Sequence, residues 1–400
     1  MEKHNNFKEQ INSIEETKEN GLDERNKKNW WILSIVVSVL LGVILFYELY
    51  KEAHTEPPLN QITNPEKLHE YLEANWKTRH DPDAIILPTG IYLESLRFVN
   101  DSDVHLSGYV WQRRTDGIHD PLSEGFIFPE QVDSIIEPRE AYRVREGDEE
   151  VIGWYFEGVF RHHYDYKRYP FDHKSVWLRI WPRDINENLI LAPDFGSYPC
   201  PDNPNQSCTG EDDIFGVSEF IVLDEFESDQ TYFDYFLASY TSNFGIYNDI
   251  GQDDLPELRF NLLLRRKSED AFILFIIPLI VVTILTYITL MVTTSVEVKS
   301  SRFGYSVFEV IKIISALIFV VIISQGQIRE KFPGSGFVFL EMFYFLIYIM
   351  LLIVAANAYL VSLPKSTEWK LISYEDNLIP KVTFWPFLLG VLLLITIIYL

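Results

Sequence analysis

Residues 168–180 read "RYPFDHKSVWLRI". The second half alternates: Val176, Leu178 and Ile180 fall on one side, Ser175, Trp177 and Arg179 on the other. A period of two predicts a strand with one buried face. The first half predicts something stiffer. Pro170 fixes its own φ and biases Tyr169 toward extended backbone. Tyr169 and Phe171 flank the proline, and Asp172 stands behind them. One reading is a tight turn that merely enters the strand. The other is a preshaped loop that presses on something else.

Outward from this stretch the chain divides in two. Its 400 residues have a mean hydropathy near zero, but five apolar runs stand out: 30–50, 271–292, 307–324, 337–363 and 384–400. Each is near the ~20 residues a helix needs to cross a bilayer. A long polar segment separates the first run from the second. The pattern predicts a multi-pass membrane protein with one large domain outside the bilayer. The first run follows a polar tail, and only "FYELYKEAHTE" follows it, with no small-x-small cleavage site, so a retained signal anchor is expected. Arg25, Lys27 and Lys28 place the tail in the cytoplasm. The expected layout is a cytoplasmic tail over 1–29, an anchor over 30–50 and a linker with a short helix over 51–83. An extracytoplasmic all-β domain over 84–268 and a four-helix transmembrane domain over 269–400 follow. Both the large domain and the C-terminus then lie outside the cell membrane.

The net charge is −24, and most of the acidity falls between residues 52 and 268. That argues against nucleic acid as a partner. An acidic vestibule would concentrate cations, although solvation of a large exposed domain explains the charge equally well. The two cysteines, Cys200 and Cys208, lie in "SYPCPDNPNQSCTGEDD". In an extracytoplasmic loop such a pair is expected to be bridged. No four-ligand zinc spacing occurs, and the adjacent histidines His162 and His163 would point to opposite faces of a strand. No nucleophile elbow, phosphate loop or catalytic Cys/His set is present, so neither an enzyme nor a cofactor is expected.

The polar segment itself reads as strands. "NPEKLHEYLEANW" at 64–76 predicts a short amphipathic helix. After it, "AIILPTGIYLESLRFVN", "DVHLSGYVWQRR", "EVIGWYFEGVFRHHYDY", "SVWLRIWP", "ENLILAP", "FIVLDEFES", "TYFDYFLASY" and "LRFNLLLRR" alternate or carry β-formers between turn signals. Eight to ten short strands predict a β-sandwich.

With these elements in order, the sequence resembles the pentameric ligand-gated ion channels (the Cys-loop receptor superfamily) in their prokaryotic form. "RYPFD" is similar to that family's signature loop, and "YVWQRRTD" to its early-strand tryptophan motif, centred on Trp111. "FNLLLRRK" followed by "FIIPLIVV" resembles the last sandwich strand, the basic step and the first pore-domain helix with its proline, Pro278. Pro333-Gly334 matches the turn between the second and third of four helices. The resemblance covers roughly 84–363. There are departures: the family's loop cysteines would fall at His162 and Val176, the N-terminal anchor is additional, and the Cys200–Cys208 loop is an insertion.

The resemblance implies a homopentamer in a lipid bilayer and a set of roles. In "YSVFEVIKIISALIFVVIISQGQIREKF", Glu309, Lys312, Ala316, Phe319, Ile323, Gln327 and Glu330 recur at steps of three and four, which is one helical face. Five such faces would line a pore, with Glu309 at the inner mouth when the helix is aligned on Pro333. The alternative is a buried Glu309–Lys312 pair that staples two helices. Tyr169, Pro170, Phe171 and Asp172 would couple the domains, near Asp101 in "NDSD" and near Arg329, with Asp172 paired to Arg265 or Arg266. Trp181, Arg183, Phe244 and Tyr247 are candidates for a ligand site, where aromatics could hold a cation. Three functions follow: a ligand- or proton-gated channel, cation-conducting; a non-conducting membrane sensor that signals to a partner; or an accessory membrane protein with no ligand. Lys312 beside Glu309 leans toward the second. The ligand and the permeant ion are not legible.

Overall fold

The computed structural model describes residues 2–52, 61–77, 84–185, 187, 189–199, 213–238, 240–242, 245, 255–267, 271–294, 306–332, 336–363, 374 and 376–400. Cys200 and Cys208, Phe244 and Tyr247, and Pro333-Gly334 lie outside the described residues. The chain forms two compact units. A helical unit comprises Met1–Thr55, Tyr166–Phe171 and Ser268–Leu400, and a β unit comprises Glu56–Asp165 and Asp172–Lys267. The short segment in the middle of the first list is the loop that opens the quoted stretch.

The β unit starts with a short helix, α1′, over Pro65–Leu72. Asn64 caps it through a bond from the Lys67 amide at 2.8 Å, the expected use of Asn ahead of a proline-started helix. Its Tyr71 stacks on Tyr235 with ring centres 5.0 Å apart. Among the described residues nine strands follow: β1 (Ile85–Phe98), β2 (Asp103–Thr115), β3 (Phe126–Ile127), β4 (Gln131–Glu146), β5 (Glu149–Arg161), β6 (His173–Pro182), β7 (Leu189–Pro193), β8 (Phe226–Ala238) and β9 (Leu255–Arg266). They make a five-stranded sheet, β4-β5-β2-β1-β7, and a four-stranded sheet, β3-β6-β9-β8. All pairings are antiparallel except β1 with β7. The alternation read from the sequence is the packing pattern. Ile91, Val104, Leu106, Val110 and Phe156 from one sheet meet Val176, Leu178, Ile180, Phe233, Phe260 and Leu262 from the other in one apolar core.

Two strand expectations need correction. "FIVLDEFES" is not a strand of its own. Phe220 and Val222 are 89% and 71% exposed, and the strand begins only at Phe226 and runs on through "TYFDYFLA". Conversely, β4 was not foreseen. Its sequence "QVDSIIEPREAYRVRE" scatters charge over both faces, because β4 is an edge strand held by its ladder to β5 rather than by burial. The hairpin closes at Gly147, whose φ of 63° lies in the left-handed region open to glycine.

In the helical unit, αA spans Glu2–Glu52. A π turn over Phe272–Ile276 leads into αB (Ile277–Val292), then αC (Val307–Lys331), αD (Phe339–Ser362) and αE (Leu378–Tyr399). Among the described residues five helices are long and apolar enough to cross a membrane: Arg25–Glu52, Phe272–Val292, Val307–Lys331, Phe339–Ser362 and Leu378–Tyr399. Polar groups inside them are satisfied locally. Thr283, Thr286, Thr289 and Thr293 each donate to the carbonyl four residues back, at 2.7–3.1 Å. Buried Asn357 and Asn377 exchange amide bonds of 3.0 and 2.8 Å. The first helix is packed along the last. Ser34 donates to the Val382 carbonyl at 2.5 Å, and Leu41 lies 3.9 Å from where Gly390 would carry a Cβ. Both contacts advance together, so αA and αE run parallel.

Candidate functional site: a loop and its ionic anchor

Within the β unit, Asp172 is buried and receives a two-pronged bond from Arg266. Nε lies 2.7 Å from Oδ1, and Nη2 lies 2.9 Å from Oδ2. The two side chains are 2% and 4% exposed, so the pair sits where solvent barely screens it. The third guanidinium nitrogen reaches Glu225 at 2.5 Å, and the guanidinium lies over the Phe226 ring at 4.4 Å. The choice left open between two arginines is therefore made for Arg266. Arg265, 46% exposed, meets Glu227 at 3.5 Å instead.

The reason is register. His173 stands opposite Arg265 in the β6–β9 ladder, so Asp172, one residue earlier, aligns with Arg266. Period two gives the same answer on each strand. Lys174, Val176, Leu178 and Ile180 face inward on β6, as do Leu258, Phe260, Leu262 and Leu264 on β9. Continuing each row by one step reaches Asp172 and Arg266. That signal was present in the sequence. Lys174, in the same inward row, has its ammonium among the rings of Phe98, Tyr164 and Phe226 at 4.4, 4.7 and 5.1 Å.

Within the helical unit, Tyr166–Phe171 is held mainly by rings. Tyr169 is 1% exposed. It meets Phe332 at 4.7 Å and Phe275 at 6.2 Å, and Tyr166 meets the same Phe332 at 4.8 Å. Phe171 faces Phe339 at 6.3 Å, the Phe339 amide donates to the Lys167 carbonyl at 2.7 Å, and Lys331 lies over the Tyr169 ring at 5.6 Å. Phe332 ends αC, Phe339 begins αD, and Phe275 precedes αB. The loop thus touches three helix ends, and each ring pair adds ~0.5–1.5 kcal/mol beyond its area. The Tyr169–Pro170 bond is cis. Within the loop, the Phe171 amide donates to Arg168 at 2.8 Å and the Tyr169 amide to Tyr166 at 3.0 Å.

Arg329 serves the same corner differently. It lies against Glu341, with Nε 2.6 Å from Oε1 and Nη2 2.7 Å from Oε2, and donates to the Gly336 carbonyl at 3.2 Å. Glu341 is fully buried and also accepts the Val338 amide at 3.0 Å. Arg329 therefore joins the end of αC to the start of αD. Asp101, in the β unit, sits in a turn tied by Asn100, which accepts the amides of Ser102 and Asp103 at 2.8 Å each.

The expected face of αC is exposed along its whole length: Glu309, Lys312, Ala316, Phe319, Ile323, Gln327 and Glu330 are all solvent-facing in the single chain. The opposite face, Val310, Ile314, Leu317, Val321 and Ile328, is buried. Ser306 caps the helix, so Glu309 falls in the first turn. Glu309 and Lys312 pair at 2.8 Å with both side chains more than half exposed. The pair lies along one helix and, among the described residues, staples no second helix.

Of the expected ligand residues, Trp181 meets Tyr240 edge-on at 5.7 Å, and Arg183 donates to the Glu124 carbonyl at 3.3 Å. The sequence reading missed the charged layer next to them. On the outward face of β6, Arg179 bridges Glu130 and Glu257, the latter at 2.7 Å, and Tyr240 donates to Glu257. Arg179 and Arg259 both lie over Phe236, at 5.1 and 5.2 Å. Burial raises the Glu130 carboxyl above its ordinary range despite the adjacent guanidinium. These residues come from β6, β9, the residue before β4, and β8 with the segment after it, so no local motif announces them. Against the middle of β6, His162 donates from Nε2 to the Trp177 carbonyl at 2.7 Å, and burial holds its imidazole below the usual range.

No family model matches this chain, and no curated protein sequence does.

Proposed function

We propose that the chain is one subunit of a pentameric, ligand- or proton-gated, cation-conducting channel of the cell membrane. Its parts on this reading are an extracytoplasmic β-sandwich, a four-helix transmembrane bundle and an additional transmembrane helix at the N-terminal end. One observation carries the reading. The chain leaves the β unit for six residues, Tyr166–Phe171, packs them among the ends of three apolar helices, and returns directly to Asp172. Asp172 is clamped to Arg266, the last residue of the strand that leads into the next helix. Two of the covalent routes from the β unit into the helical unit, those leaving at Asp172 and just after Arg266, are thus tied together by one buried ion pair. The exposed face of αC, with the Glu309–Lys312 pair at one end and apolar residues in its middle, is the part that five copies would turn toward an axis, where a hydrophobic ring can gate by dewetting.

Recording from the purified full chain in planar bilayers, with ligand screens and pH steps, tests the proposal. Discrete cation currents that Asp172→Asn abolishes or shifts are expected. The second reading, a non-conducting sensor, is favoured by Lys312, which neutralises Glu309 at the entry. A silent bilayer together with intact pentamers would select it.

A further inference from the structure

We infer that αA is a second input to the loop, arriving from the N-terminal end of the chain rather than from the β unit. At its C-terminal end Glu52 pairs with Arg168 of the loop at 2.5 Å. Glu52 is only 16% exposed and Arg168 is half exposed, so the contact sits at a partly covered edge. Arg168 accepts the Phe171 amide through its own carbonyl, and its neighbour Tyr169 is wedged against Phe332 and Phe275. The contacts are continuous within the helical unit: αA, Glu52, Arg168, Tyr169, then Phe332 at the end of the proposed pore helix.

The other end of this lever is long. αA is one unbroken helix from Glu2 to Glu52, about 75 Å at 1.5 Å per residue. It is guided along αE by the Ser34–Val382 bond and by the close approach of Leu41 to Gly390. Gly390 leaves room there that a larger residue would fill. A helix transmits axial shift and rotation with little loss, so a displacement of the polar N-terminal portion moves Glu52 relative to Arg168. An event at that portion would therefore bias the loop even with no ligand on the β unit. If the protein conducts, αA adjusts how readily it opens. The inference rests on the proposed function only for that last consequence.

Its test does not require conduction. Hydrogen exchange on the full chain in nanodiscs reads the amides that hold the loop and its neighbours: Tyr169, Phe171, Phe332 and Phe339. Glu52→Arg places two cations together and should speed exchange at 166–171 and 332–339 about two- to five-fold, the range for a partly exposed pair. The swap Glu52→Arg with Arg168→Glu should restore protection. Gly390→Leu, remote from the loop, should produce the same pattern by displacing αA from αE. Peptides of β2 and β5 serve as the control for global unfolding; should Glu52→Arg disturb them, Glu52→Gln takes its place in the comparison. Change confined to the end of αA, or a swap that fails to restore the loop, would overturn the inference. Loop exchange that responds as expected in a silent bilayer would leave the inference standing and count against the channel reading alone.

Discussion

At the residue scale, Asp172 and Arg266 decide the site. Both are buried, so removing one partner leaves an uncompensated charge, a loss of ~3–5 kcal/mol. Asp172→Asn and Arg266→Gln should each lower the stability of the β unit by about that much. The double substitution should cost clearly less than the sum, because each single change already forfeits the shared bond. Arg265→Gln combined with Asp172→Asn should be additive. Chemical denaturation of these variants and of Arg265→Gln alone measures this, and additive effects with Arg266 would mean that the pair contributes nothing of its own. A pH effect belongs at this scale too. The folded-state pKa of His162 is lowered, so its contribution to stability is complete above the unfolded value, ~6.5. It is lost as pH falls toward the folded value, because the unfolded chain binds the proton first. Melting of the β unit should therefore weaken below ~pH 6.5, and His162→Gln should flatten that slope. An unchanged slope would locate the titration elsewhere.

At the element scale, the sequence was legible wherever one face of an element was buried. The quoted stretch is the clearest case: alternation marked β6, and the rigid Tyr-Pro-Phe start marked a loop that packs against helix ends. The same alternation, continued by one step, would have chosen Arg266 over Arg265. It failed for β4, which is exposed on both faces and owes its place to a ladder, and for residues 220–223, apolar but outside the strand that begins at Phe226. The Arg179 layer was illegible for another reason: its members meet only after four separate segments are brought together. For αC, period and burial agree, and a sharper prediction follows. Cysteines at Ala316, Ile323 and Gln327 should react quickly with small hydrophilic thiol reagents in the membrane-embedded full chain, and Leu317, which is buried, should not. Ile322 does not serve as a protected control, since it is 53% exposed in the single chain. Protection at all three sites equal to that at Leu317 would mean a dry helix and no water-filled path.

At the scale of the whole molecule, charge is the property that no single element reports. The chain carries −24, and an assembly of five would multiply that field. In the proposed channel such a field raises the local concentration of cations and excludes anions. Screening sets the range over which it acts. The Debye length is about 10 Å at 0.1 M salt and about 3 Å at 1 M, so the enrichment reaches across a vestibule at the lower salt and only along its walls at the higher. Single-channel conductance should then saturate early: between 0.1 and 1 M salt it should rise by distinctly less than the roughly ten-fold change in bulk concentration. Cation selectivity should be highest at the low end. The contribution of Glu309 separates from this field, because it lies on αC and is already paired with Lys312. Lys312→Gln should free that carboxylate and raise cation conductance at every salt concentration, while leaving the curvature unchanged. Conductance strictly proportional to salt would remove the acidic β unit from the permeation path. A Lys312→Gln channel no more conductive than the parent would remove the Glu309 end of αC as well.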